Sequence, residues 1–194
     1  MELNLAAIIF VAILANNIVL NQFLGVCPYL GVSKRIETSL GMGMAVVFVM
    51  TLATIVSWVI FNFILIPLDL VYLRTIAFIL VIASLVQLVE IVLKKNNPTL
   101  FKALGIYLPL ITTNCAILGV ALLNIQMGHN IIQTVVYAIA AAIGFTMALV
   151  IMAGIRERLE LVNMSGLLQG AAVTLVTAGI LSLSFMGFAG IMTL

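Results

Sequence analysis

The sequence predicts an all-α polytopic membrane protein of six transmembrane helices, arranged as two inverted three-helix repeats in a single membrane domain. Three observations carry this: composition, the spacing of apolar stretches, and an internal repeat. Of 194 residues, 65% are hydrophobic and 7% charged, whereas about a quarter of a soluble domain carries charge. A chain this apolar has ample surface to bury and is not disordered. A net charge of +2 gives no electrostatic footing for nucleic acid. Two cysteines are too few for a disulfide scaffold.

Each span needs about 20 apolar residues, and six stretches meet that demand. The first runs from Leu3 to about Val32 and stops at Lys34 and Arg35. The second, Leu40 to Ile66, ends at Pro67 and Asp69; the third, Tyr72 to Leu93, ends at Lys94 and Lys95. The fourth covers Ala103 to Leu123 and gives way to Asn124; the fifth, Ile131 to Ile155, stops at Arg156 and Arg158; the sixth runs from Met164 to about Leu194. Residues 1–15 lack the basic start and cleavage site of a leader. Basic residues near span ends are retained on the cytoplasmic side. Lys34, Arg35, Lys94, Lys95, Lys102, Arg156 and Arg158 fall on one side and only Arg74 on the other. Both termini are therefore expected outside the cytoplasm.

The repeat emerges when the two cysteines are superposed. Cys27-Pro28-Tyr29-Leu30-Gly31-Val32 and Cys115-Ala116-Ile117-Leu118-Gly119-Val120 share C-x-x-L-G-V. Each copy sits in the first span of a three-span half, about residues 1–95 and 96–194, with amides upstream: Asn21 and Gln22, or Asn114. Three spans is an odd number, so the second half enters the membrane from the opposite face. Cys27 then lies seven residues before Lys34, about 10 Å below the inner boundary if helical. Cys115 lies about as far below the outer boundary. Regular helices would leave the two roughly 10 Å apart in depth, and a few extended residues would close that gap.

Breaks are expected beside both. From Leu3 to Val32 is about 45 Å as a helix, too long for one upright span. Asn16, Asn17, Asn21 and Gln22 cluster there, and Gly25 and Pro28 flank Cys27. Pro109, Thr112, Thr113, Asn114 and Gly119 are expected to play the same part around Cys115. Irregular backbone at this depth is buried in protein or lines a polar site, because lipid cannot satisfy freed amides.

A lone cysteine in a span is ordinarily a small hydrophobe. Two, in matching broken segments, are better explained as a pair with a shared partner. A disulfide suits neither the membrane interior nor the breaks. Thiolate ligation of iron is the stronger reading, and since an iron-sulfur cluster normally takes four cysteines, this chain owns half a site. Backbone amides at Gly25 to Cys27 and Asn114 to Ala116 are the expected donors to the sulfurs.

The motifs Asn21-Gln22-Phe23-Leu24-Gly25-Val26-Cys27-Pro28, Leu110-Ile111-Thr112-Thr113-Asn114-Cys115, Tyr72-Leu73-Arg74-Thr75 and Gly154-Ile155-Arg156-Glu157-Arg158 resemble the family of A-type subunits (RnfA) of Rnf electron-transport complexes. The likeness covers nearly the whole chain; the E-type subunits of the sodium-pumping NADH:quinone reductase are close relatives sharing the cysteine motifs. The resemblance implies a component of a redox-driven, ion-translocating ferredoxin:NAD oxidoreductase in the prokaryotic cell membrane. It implies that Cys27 and Cys115 are metal ligands of one 2Fe-2S cluster, completed by two cysteines of a homologous membrane protein, Rnf E, of opposite orientation. It further implies the B-, C-, D- and G-type Rnf subunits as partners, and export of sodium ions or protons.

The remaining polar residues invite plainer readings. Glu90 and Lys94 are spaced as a helix pair, Asp69 and Arg74 bracket an outer turn, and His129, without clustered partners, is expected to be exposed. No carboxylate lies deep in a span, the usual device of an ion carrier. Any ion movement is expected near the amides at 16, 17, 21 and 22. Gly166 and Gly170, and Ala140 to Ala142 with Gly144, read as close helix packing. No Walker loop, dinucleotide fingerprint or nucleophile triad is present, so no complete active site is expected. The rival reading is a secondary transporter, which shares inverted repeats and broken spans.

Overall fold

A continuous apolar chain in lipid satisfies its backbone within helices, and all regular structure among the described residues is helical. The computed structural model describes residues 5–96, 108–160 and 171–192. The first segment is α1 (Leu5–Phe10), continued by a π-helical turn (Val11–Ala15), an irregular stretch over 16–25, and the short α2 (Val26–Val32). Then come α3 (Ile36–Ile60), extended by a second π-helical turn (Phe61–Leu65), and α4 (Arg74–Asn96). The second half repeats this order: α5 (Leu108–Thr112), a break at Thr113 and Asn114, α6 (Cys115–Gln126), the long α7 (Ile131–Glu160), and α8 (Ala171–Met192). These make six apolar segments, and the first of each half is broken beside its cysteine, as expected.

Among the described residues, four stretches are long and apolar enough to cross a membrane: Ile36–Leu65, Val71–Ile91, Pro109–Gln126 and Ile131–Leu159. Ala172–Gly187 is apolar but shorter. The protein is an all-α polytopic membrane protein.

The breaks do not fall where the prolines stand. Pro28 lies in the first turn of α2 and Pro109 in the first turn of α5, where a missing N–H costs nothing and the fixed φ favours starting a helix. Gly119 is no break either; it lies inside α6, and a side chain there would collide with Leu24.

Between lipid-embedded helices close packing replaces the hydrophobic effect, so small residues define the interfaces. Helices α3 and α7 run antiparallel: a side chain at Gly43 would strike Thr146, while Trp58, farther along α3, meets His129 just before α7. Ala138, Ala141, Ala142, Phe145 and Leu149 of α7 are buried with Met42, Val46, Met50 and Ala53 of α3. The small residues at 140–142 and 144 pack as expected. At Gly144 an added Cβ would lie 3.2 Å from the Ile13 backbone, so the π-helical turn rides directly on α7. The Gly166 and Gly170 motif lies outside the described residues.

That turn is held by one amide. Asn17, fully buried, donates from Nδ2 to the carbonyls of Gly144 (2.9 Å) and Ile13 (3.2 Å). Its Oδ1 accepts from the amides of Val19 (3.1 Å) and Leu20 (3.4 Å). Nearby, Asn21 donates to the Ala15 carbonyl (3.1 Å) and to Asn16 Oδ1 (3.2 Å), and Ser182 of α8 donates to the Leu20 carbonyl (2.6 Å). These amides are thus occupied in satisfying the broken backbone, which is what lipid cannot do. Replacing Asn17 with Leu strands two amides and removes the tie to α7. The expected cost is about 3 kcal/mol, readable as a lowered unfolding midpoint in detergent, while Asn16→Leu, whose side chain makes one bond to Asn21, is expected to cost less.

Candidate functional site

The site begins with a backbone conformation. After Leu24 donates to the Ile18 carbonyl (3.0 Å), Gly25 takes φ +77°, ψ +25° and opens α2. Left-handed backbone of this kind is open to glycine and strained for other residues. Phe23, at φ +55°, carries such strain two residues earlier. The turn frees the Gly25 amide from helical duty, and it points across the molecule: Gly25 N donates to Cys115 Sγ at 2.8 Å. The two breaks therefore meet. A Cβ at Gly25 would lie 2.7 Å from Phe145 Cε2, 3.1 Å from Ala116 Cβ and 3.2 Å from Asn114 Oδ1.

The second break is built by capping. Asn114 is extended (φ −73°, ψ 110°), and its Oδ1 accepts from the Ala116 amide (3.0 Å), a standard N-cap of α6. Thr113 Oγ1 bonds back to the Pro109 carbonyl (2.9 Å), ending α5. Cys115 is thereby the first residue of α6 and Cys27 the second of α2. Each cysteine stands at a helix start, where unpaired amides and the helix dipole favour negative charge. Asn114 Nδ2 is buried without an acceptor.

Both cysteines are free and exposed on this chain. The structure thus brings together the two segments singled out in sequence, through an amide in the expected Gly25–Cys27 stretch. The direction was not legible: the amide of the first half serves the sulfur of the second. Among the described residues, no group of three or more His, Cys, Asp or Glu is placed to hold a metal ion.

One positioning group is visible only in three dimensions. Arg156, near the C-terminal end of α7, donates to the Leu30 carbonyl (2.9 Å) and to Ser33 Oγ (3.0 Å) at the end of α2. Its neighbour Glu157 accepts from the Ile36 amide (3.2 Å), starting α3 where Arg35 supplies no side-chain cap. In sequence Arg156 reads as one of the loop-end basic residues that set topology. The one available signal of a further role was its place in the Gly154–Arg158 motif.

At the opposite end the counterpart is uncharged. Trp58 Nε1 donates to the His129 carbonyl (3.1 Å), and His129 Nδ1 lies 2.8 Å from Asn124 Oδ1 at the end of α6. His129 is partly buried rather than exposed as expected, and burial lowers its pKa below 6.5. Protonation thus favours the unfolded chain, so its contribution is complete above pH 6.5 and is lost as pH falls through the window below. The unfolding midpoint is expected to drop on acidification from pH 7 to 5 by more in the unsubstituted protein than in His129→Gln.

Comparison with known proteins places this architecture. The family model described as "Rnf-Nqr subunit, membrane protein" matches residues 5–192. Three relatives, from Citrobacter koseri, Escherichia fergusonii and Escherichia coli K12, are each named as the A subunit of an ion-translocating oxidoreductase complex. Each is 57% identical over 182 residues, covering 94% of this chain and 94% of the relative. On the breadth of that match, across all six apolar segments and both cysteines, the chain belongs to the Rnf-Nqr family of membrane-protein subunits.

Proposed function

We propose that this chain is the A-type membrane component of a redox-driven ion-translocating oxidoreductase complex, and that Cys27 and Cys115 supply two thiolate ligands to a 2Fe-2S cluster. The other two ligands come from a homologous membrane protein inserted the opposite way. The observation that carries this is the 2.8 Å bond from the Gly25 amide to Cys115 Sγ. It sets the second cysteine against the backbone two residues before the first.

The donor set fits such a group. Two soft sulfurs at two helix starts suit iron-sulfur ligation, and two of the four required account for a chain that offers no third ligand among its described residues. Their exposure leaves them open to a partner. The buried, unpaired Asn114 Nδ2 is a donor that a sulfur-rich group beside Cys115 can satisfy.

When bound, the cluster supplies a one-electron relay between carriers on the two faces of a bilayer whose core is about 30 Å thick. The chain's own residues do the rest. The Gly25 amide donates to Cys115 Sγ and fixes where that sulfur stands. Phe145, Ala116 and Asn114 close around the turn, keeping water from the backbone side. Both termini lie on the outer face, following the basic loops, in a prokaryotic cell membrane, and the other Rnf subunits and an exported sodium ion or proton belong to this reading.

The test is electron paramagnetic resonance and iron content on the dithionite-reduced chain purified with its complex. The expected result is a 2Fe-2S signal that disappears with either cysteine changed to serine. A secondary transporter without a redox centre would keep its activity in both variants and show no such signal.

A further inference from the structure

Helix α2 carries Cys27 and is only seven residues long, too short to hold its own position by helix propensity. Both its ends rest on α7. At the start, Gly25 packs against Phe145. At the finish, Arg156 donates to the Leu30 carbonyl and to Ser33 Oγ, a cation on the negative end of a helix. Glu157 then takes the Ile36 amide, an anion on the positive end of the next helix. Neighbouring charges on α7 thus fix the turn between α2 and α3 from both sides.

Helix α6, which carries Cys115, differs on both counts. It has twelve residues and its own side-chain N-cap, and its far end is held by the neutral Asn124–His129–Trp58 chain. Leu30 is three residues from Cys27, about 4.5 Å along the axis. The end of α6 is eleven residues from Cys115, about 16 Å away. Arg156 thus bonds the backbone within one turn of Cys27.

We infer that Arg156 is a positioning residue for Cys27: it holds the ligand-bearing helix in register with α7, and its charge raises the reduction potential of the centre those cysteines serve. The inference rests on the cluster reading. Reduction adds negative charge, so a half-buried guanidinium nearby favours the reduced state. Arg156→Gln is expected to keep a donor for Leu30 while losing the charge, and Arg156→Lys to keep the charge while losing the planar guanidinium whose one nitrogen serves both acceptors.

The test uses the intact complex. Redox titration followed by electron paramagnetic resonance is expected to move the midpoint to more negative potential in Arg156→Gln, with Arg156→Lys returning most of the way and iron content unchanged in both. In parallel, backbone hydrogen exchange is followed in complexes stripped of iron by chelation. The hydrogen-bonded amides of α2 are expected to exchange about tenfold faster in Arg156→Gln, the scale set by a lost charge-assisted hydrogen bond, while those of α6 keep their rate. Ser33→Ala, which removes one of the two contacts and leaves the charge, gives an intermediate α2 rate and serves if Arg156→Gln fails to assemble. Equal midpoints in all three iron-bearing complexes, or equal acceleration of both helices, overturn the inference. Absence of iron from the unsubstituted complex overturns the cluster reading instead, and the exchange rates then decide the clamp alone.

Discussion

Changing Cys27 or Cys115 to serine is expected to abolish electron transfer by the complex, with the iron of the shared centre lost in either single variant. The effect is large because a ligand is not a contact of graded strength. A hydroxyl is a harder, far less acidic donor than a thiol, and the two sulfurs sit at separate helix starts with no third ligand beside them among the described residues. Structural consequences are small. Both side chains are exposed, and serine is nearly the same size, so membrane insertion and the unfolding midpoint of the isolated chain are expected to change little. That separation distinguishes the account from a secondary transporter, in which both substitutions would be tolerated. The checking measurements are iron per complex and the rate of electron transfer through the complex in membranes with matched protein content.

The next largest effect is expected at Gly25, where a single methyl group does three kinds of damage. Alanine must adopt φ +77°, costing about 1–2 kcal/mol. Its Cβ would stand 2.7 Å from Phe145 Cε2 and 3.1 Å from Ala116 Cβ, and overpacking adds about 1–3 kcal/mol. Relief requires the turn to back away, which pulls the amide from Cys115 Sγ. Gly25→Ala is therefore expected to destabilise the chain by about 3 kcal/mol and to alter the spectrum of whatever iron remains. Gly128 provides the control. It also has positive φ, but nothing lies within 4 Å of the Cβ position, so Gly128→Ala is expected to show the backbone cost alone and leave the site unchanged. Thermal unfolding in detergent, beside the paramagnetic signal of the assembled complex, separates the two.

Much of this was readable in the sequence, and the reason is dimensional. Span length, charge placement and the C-x-x-L-G-V repeat are properties of a line of residues. They are sufficient to locate six apolar segments and to single out the two broken segments that the Gly25–Cys115 bond joins. The amides Asn17 and Asn114 were visible as breakers because a polar side chain has no other business at that depth. The prolines misled. Pro28 and Pro109 open helices, and the true breaks come from Gly25's left-handed turn and from the caps around them. Contacts between distant segments were invisible: Asn17 to Gly144, Gly25 to Cys115, Arg156 to Leu30. In a chain where nearly every side chain is apolar, no hydropathy pattern says which face turns inward. That choice is made by close fits such as Gly144 on Ile13, which depend on a few tenths of an ångström. His129 illustrates the same limit, since its partners Trp58 and Asn124 come from two other segments.

The most direct measurement is iron-edge anomalous scattering from crystals of the assembled complex. A pair of iron atoms is predicted within bonding distance of Cys27 Sγ and Cys115 Sγ on one side and of two sulfurs from a neighbouring membrane protein of the complex on the other. Iron found elsewhere, with these two thiols free or joined to each other, would contradict the account.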